Sequence, residues 1–184
     1  MTTQAALTAA QLRADLDSCP AGASGWKRFE EVALDALSYL FVPPLRPPTP
    51  QAHTYSNVER RDAVFPNRHL DPSSNWGIFR QDLEARMIAV EFKNYDKTGI
   101  GREEVDQTAN HLRRAWGRLA LLCTNVEPSK SAHIRRNSIF SDDEKVILFI
   151  TKADLGEMLD MKDRGEDPSD LIMDIYEAFL IQHE

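Results

Sequence analysis

The sequence predicts an α/β protein with a central mixed β-sheet between layers of helix. Three observations carry this expectation. Apolar alternation marks a strand at residues 86–93. Two nearly continuous apolar runs, 118–124 and 145–150, have the character of strands covered on both faces. Apolar residues recur at helical spacing over 24–41 and 102–116. The resulting order is helix, three strands, helix, strand, then further helix and strand, which is that of an α/β/α sandwich.

The elements follow in turn. Residues 1–23 are expected to form a partly helical N-terminal extension, with its helix near 8–16. Residues 24–184 are expected to form a single domain, a length that supports a sizeable core. Ser24 is the expected cap of a helix running to Phe41, with Trp26, Phe29, Ala33, Leu37, Leu40 and Phe41 on its apolar stripe and Glu30 at the border. The proline-rich loop 43–50 must end that helix, because proline lacks the N–H and clashes with the preceding turn. Residues 53–58 form the expected first strand, and 59–65 the second, carrying Asp62. A loop at 67–75 leads to a short helix at 76–84, and then to the strand ending Glu91-Phe92-Lys93. The helix at 102–116 buries Val105, Ala109, Leu112 and Trp116, and sets Gln107, His111 and Arg114 on another face. Ser129, Thr151 and Ser169 stand at or near the starts of three later helices, the last two in an acidic helical part at 151–184.

Composition excludes several classes. At 42% hydrophobic and 28% charged, the chain is ordinary for a globular domain. No run reaches membrane-spanning length, and the N-terminus lacks the charged start and apolar core of a signal peptide, so a cytoplasmic protein is expected. Cys19 and Cys123 are far apart, and Cys123 lies in an apolar run, which favours reduced thiols. The net charge of −7 is unevenly spread: residues 142–184 hold 13 acidic and 4 basic side chains, so the remainder is slightly positive. That remainder carries Lys27-Arg28, Arg60-Arg61, Arg113-Arg114 and Arg135-Arg136. An acidic chain with such pairs still has room for a positive groove that takes nucleic acid.

Chemistry concentrates at Glu91-Phe92-Lys93. In a strand, residues two apart share a face, so Glu91 and Lys93 should project together while Ile88, Val90 and Phe92 pack the other side. A second carboxylate, Asp62, lies on a neighbouring strand. Two carboxylates and an ammonium at a strand end suit metal-assisted phosphodiester hydrolysis. The same triplet spacing recurs in Asp143-Glu144-Lys145 and Asp160-Met161-Lys162, but those fall in a loop and a predicted helix. There is no Cys/His zinc pattern, Gly-rich phosphate loop or nucleophile elbow.

Four motifs in order extend this reading: Gly25-Trp26-Lys27-Arg28-Phe29-Glu30, Arg60-Arg61-Asp62, Glu91-Phe92-Lys93-Asn94, and Gln107-Thr108-Ala109-Asn110-His111. They resemble the G-x-x-x-F-E, R-R-D, E-x-K-N and Q-x-x-x-Y patterns of the PD-(D/E)xK nuclease superfamily, and within it the Mrr-like restriction endonucleases. The resemblance covers residues 25–124 and continues more weakly to 150. The proline of the superfamily name is absent, since Arg61 precedes Asp62, and His111 stands where tyrosine is common.

The resemblance implies a restriction-endonuclease-like α/β/α sandwich and a Mg²⁺-dependent endonuclease, with Mn²⁺ as substitute, that cuts double-stranded DNA in restriction-type or anti-phage defence. It implies Asp62, Glu91 and the Phe92 carbonyl as metal ligands, Lys93 as the group that holds the attacking water, and Glu30 and Gln107 as supporting catalytic groups. Arg61 and Asn94 are its expected nucleic-acid contacts, and Arg114 is added from the helix face. A homodimer or a partner defence protein would supply the second strand cut and target choice. The alternative class is a restriction-endonuclease-like module that binds or scaffolds without cutting, docking through its acidic C-terminal third.

Overall fold

The computed structural model describes residues 7–53 and 60–183. Five strands make one mixed sheet in the order β1-β2-β3-β4-β5: β1 (Thr49–His53), β2 (Arg60–Pro66), β3 (Met87–Lys93), β4 (Leu119–Thr124) and β5 (Val146–Thr151). The first three form an antiparallel meander, and β3, β4 and β5 run parallel. Parallel neighbours need a crossover, which α4 (Arg102–His111) and α5 (Lys130–Asp143) provide.

Helices cover both faces, so the architecture is the expected α/β/α sandwich. One core cluster joins the sheet to α1 (Ala9–Ser18), α2 (Trp26–Phe41), α3 (Asn75–Asp82), α6 (Lys152–Asp163) and α7 (Ser169–Gln182). It takes Val90 and Phe92 from β3, with Leu121, Cys123, Leu148 and Ile150. The second cluster takes the alternate residues Ala89, Ala120, Leu122, Ile147 and Phe149, and packs them under α4 and α5. β4 and β5 are buried on both faces, as continuous apolar runs require. Among the described residues no helix is long and apolar enough to cross a membrane.

Several boundaries differ from expectation, each for a local reason. The N-cap of α2 is Gly25 rather than Ser24, and the buried stripe begins at Phe29, leaving Trp26 49% exposed. α1 is integral to the core: Leu12 and Leu16 are buried, and Arg13 reaches Asp160 on α6 at 3.1 Å. β1 begins inside the proline-rich segment, and Pro50 is tolerated because β1 is an edge strand. The strand expected at 53–58 lies, beyond His53, outside the described residues. Thr151 caps α6 as expected, accepting the Asp154 N–H at 3.1 Å, and Ser129 caps α5. Ser169 is instead the first residue of α7, and its hydroxyl donates to Asp167.

α4 stops at His111, five residues before the expected Trp116. The chain has to turn there to enter β4. The Trp116 carbonyl accepts the Met87 N–H at 3.0 Å, and Gly117, at φ +106°, packs against the Glu84 backbone where a Cβ would meet the Glu84 oxygen at 2.2 Å. A left-handed residue without a Cβ is what that approach needs. Arg114 therefore lies in an exposed turn, and not on the helix.

Candidate active site

The site forms where β3 ends, between β2 on one side and α4 above. Glu91 and Lys93 lie two apart on β3, about 6.6 Å along an extended chain. Gln107 and His111 lie four apart on α4, about 6 Å along a helix. The two spacings match, and each side chain meets its counterpart. Lys93 Nζ donates to Gln107 Oε1 at 3.0 Å, and His111 Nδ1 lies 2.5 Å from Glu91 Oε1. Both Glu91, 2% exposed, and His111 are buried. Sequence reasoning left the role of His111 open. The signal was present in the four-residue spacing of Gln107 and His111 set against the two-residue spacing of Glu91 and Lys93.

Asp62 enters from β2. The ladder between β2 and β3 pairs Ala63 with Val90, and the next residues on each strand are Asp62 and Glu91. Asp62 Oδ2 accepts the Phe92 N–H at 2.9 Å. Burial pushes the Asp62 carboxyl up to about 6, and the negative charge of Glu91 adds to the rise. The Phe92 N–H opposes this, Glu30 raises it further, and Lys93 lowers it. The same interactions identify one electrostatic cluster of Asp62, Glu91, Glu30 and Lys93. Glu30 reaches it from the first turns of α2 and is 8% exposed.

The donor set suits a hard divalent cation. Among the described residues no group of three or more His, Cys, Asp or Glu side chains gathers as a metal cage. Asp62 and Glu91 each have one oxygen engaged, to the Phe92 N–H and to His111. Mg²⁺ favours this pattern of one or two carboxylates with waters and substrate phosphate completing its shell. A cation here would also relieve the repulsion that raises Asp62.

The expected nucleic-acid contacts divide. Arg114 is exposed. Arg61 is 3% exposed, with its guanidinium 4.3 Å from the Trp116 ring centroid, which assigns it to packing rather than to a phosphate-facing surface. Asn94 turns its amide inward, donating to the carbonyls of Pro20 at 2.9 Å and Gly22 at 3.1 Å. It ties the end of β3 to the segment that launches α2 and Glu30. The other two triplets have structural work: Lys162 donates to the Tyr39 and Leu40 carbonyls at the end of α2, and Glu144 caps α5 in a left-handed conformation.

Gly25 explains the first motif. A Cβ there would sit 1.8 Å from the Pro20 carbonyl and 3.1 Å from Asn94 Nδ2. Gly25→Ala must therefore push α2 away from the end of β3 and break the Asn94 clamp. We expect it to lower the melting temperature, by about 1–3 kcal/mol of stability, and to misplace Glu30. Denaturant melts checked against Ala23→Ser, an exposed neighbour, measure this.

Comparison with known proteins adds limited information. The chain is 29% identical over 121 residues to a putative transposon gamma-delta 80.3 kDa protein of Escherichia coli (strain K12). The match covers 65% of this chain and 16% of that protein, so the chain spans about one-sixth of its relative's length. No family model matches the chain, and no solved structure does.

Proposed function

We propose that the chain is a Mg²⁺-dependent nuclease of restriction-endonuclease-like type, a DNA endonuclease acting in restriction-type or anti-phage defence. One observation carries the reading: Asp62, Glu91 and Lys93, from two strands, converge at one sheet end, with Glu30 and Gln107 set beside them. The four ordered motifs and the α/β/α sandwich agree with it. The relative's name ties it to a transposon, a mobile DNA element, and a DNA substrate is consistent with that context.

A bound Mg²⁺ would polarise the scissile phosphate and ease deprotonation of the attacking water. Asp62 and Glu91 would hold that cation, the first braced by the Phe92 N–H and the second by His111. Lys93, oriented by Gln107, places its ammonium where it orients the attacking water and offsets charge building on the phosphate. Glu30 adds negative charge to the cluster around Asp62. Arg114 lies exposed on the surface and would contact backbone phosphate.

The test is cleavage of plasmid, linear duplex, single-stranded DNA and RNA with Mg²⁺ or Mn²⁺. Duplex DNA should be cut, and Lys93→Ala should lose at least about a hundredfold in rate with an unchanged melting temperature. Equal cutting by Lys93→Ala would show that another group does the chemistry. A chain that binds DNA but never cuts it would be the non-cutting module instead.

A further inference from the structure

Away from this site, the Nε of a buried arginine has no hydrogen-bond partner among the described residues. Arg136 lies on the inward face of α5 with Ala132 and Ile139, and is 5% exposed. Its guanidinium is held between two rings, 4.9 Å from the Phe149 centroid on β5 and 4.5 Å from the Phe179 centroid on α7. Among the described residues its buried Nε has no hydrogen-bond partner, and no carboxylate forms an ion pair with it. Burial pushes the guanidinium down to about 10, with no neighbouring charge opposing it. Stacking on aromatic faces recovers only part of the cost of removing a cation from water.

Arg136 lines a cavity of about 210 Å³ where α5 and α7 meet beside the C-terminal end of β5. Ile175 and Ala178 give it apolar lining, and Glu127 and Asp154 line it as well. We propose that this cavity binds a small organic carboxylate, whose oxygens pair with Arg136 and whose hydrocarbon body lies against Ile175 and Ala178. Three features select that chemistry. The guanidinium fork fits a planar carboxylate bidentately. Glu127 and Asp154 repel any anion, and a phosphate, with about −1.5 to −2 charges at neutral pH, more than a monocarboxylate. The volume exceeds the ~150 Å³ that accommodates benzene in an apolar cavity. The inference is independent of the nuclease reading.

Benzoate is the probe, titrated into the full chain by calorimetry and followed by thermal melting, beside acetate and inorganic phosphate. Benzoate should bind saturably, raise the melting temperature and outcompete phosphate. Arg136→Met keeps an apolar stem between the rings and should weaken binding at least tenfold. If that variant does not fold, Ala178→Trp closes the cavity while sparing Arg136, and it should abolish binding. Non-saturating titration, tighter binding of phosphate, or undiminished binding in the variant tested would overturn the proposal and leave the guanidinium served by water alone.

Discussion

Asp62→Asn is expected to abolish phosphodiester cleavage and to raise the melting temperature of the metal-free protein. Both effects come from one cause. The Asp62 carboxylate is buried beside Glu91 and Glu30, and its pKa rises from 3.8 to about 6. That displacement corresponds to ~3 kcal/mol of native-state penalty for the ionised form. Asparagine removes the charge while its side-chain oxygen still accepts the Phe92 N–H. We expect a stability gain on the order of 1–3 kcal/mol at pH 7. The sign with pH follows. A carboxyl whose folded pKa is raised contributes stability that is fully present below its unfolded value of 3.8 and lost as pH rises through about 6. The advantage of Asp62→Asn should therefore shrink as pH falls from 7 toward 4. Melts of both proteins in chelator across that range measure it. A variant less stable than the wild type at pH 7 would show that Asp62 serves the fold rather than a ligand.

His111→Phe should have the opposite effect on stability. Glu91 is buried, and His111 Nδ1 is 2.5 Å from its Oε1. Phenylalanine fills the space and leaves that oxygen without a partner. Removing one member of a buried polar pair costs on the order of 2–4 kcal/mol, or roughly 5–15 °C for a domain of this size. Cleavage should fall as well, because Glu91 is no longer held for the cation. His111→Gln restores a donor and should recover part of both. Equal melting temperatures for His111→Phe and wild type would remove His111 from the account.

The strands were legible because their patterns are local. The apolar alternation at 86–93 and the continuous runs at 118–124 and 145–150 returned as β3, β4 and β5 within a residue or so. The edges of the fold were not, because tertiary demands set them. α4 ends early since Trp116 and Gly117 are needed against Met87 and Glu84. β1 starts among prolines because an edge strand leaves one row of N–H groups unneeded. At the site, the face shared by Glu91 and Lys93 was readable from the two-residue period. What Arg61 and Asn94 touch was not, since Trp116 and the Pro20–Gly22 carbonyls lie far away in sequence. Buried charge is also hard to read from sequence: Arg136 sits on a helix whose apolar pattern is weak, and only the packing of Phe149 and Phe179 reveals it.

The most direct test of the proposed site is Mn²⁺ binding to the full chain, followed by calorimetry or by loss of the free-ion electron paramagnetic resonance signal. Wild type should bind saturably. Asp62→Asn and Glu91→Gln should each weaken binding by at least about tenfold, while Lys93→Ala still binds the ion. Undiminished binding in both carboxylate variants would contradict a shared cation between β2 and β3, and with it the hydrolytic site proposed for this chain.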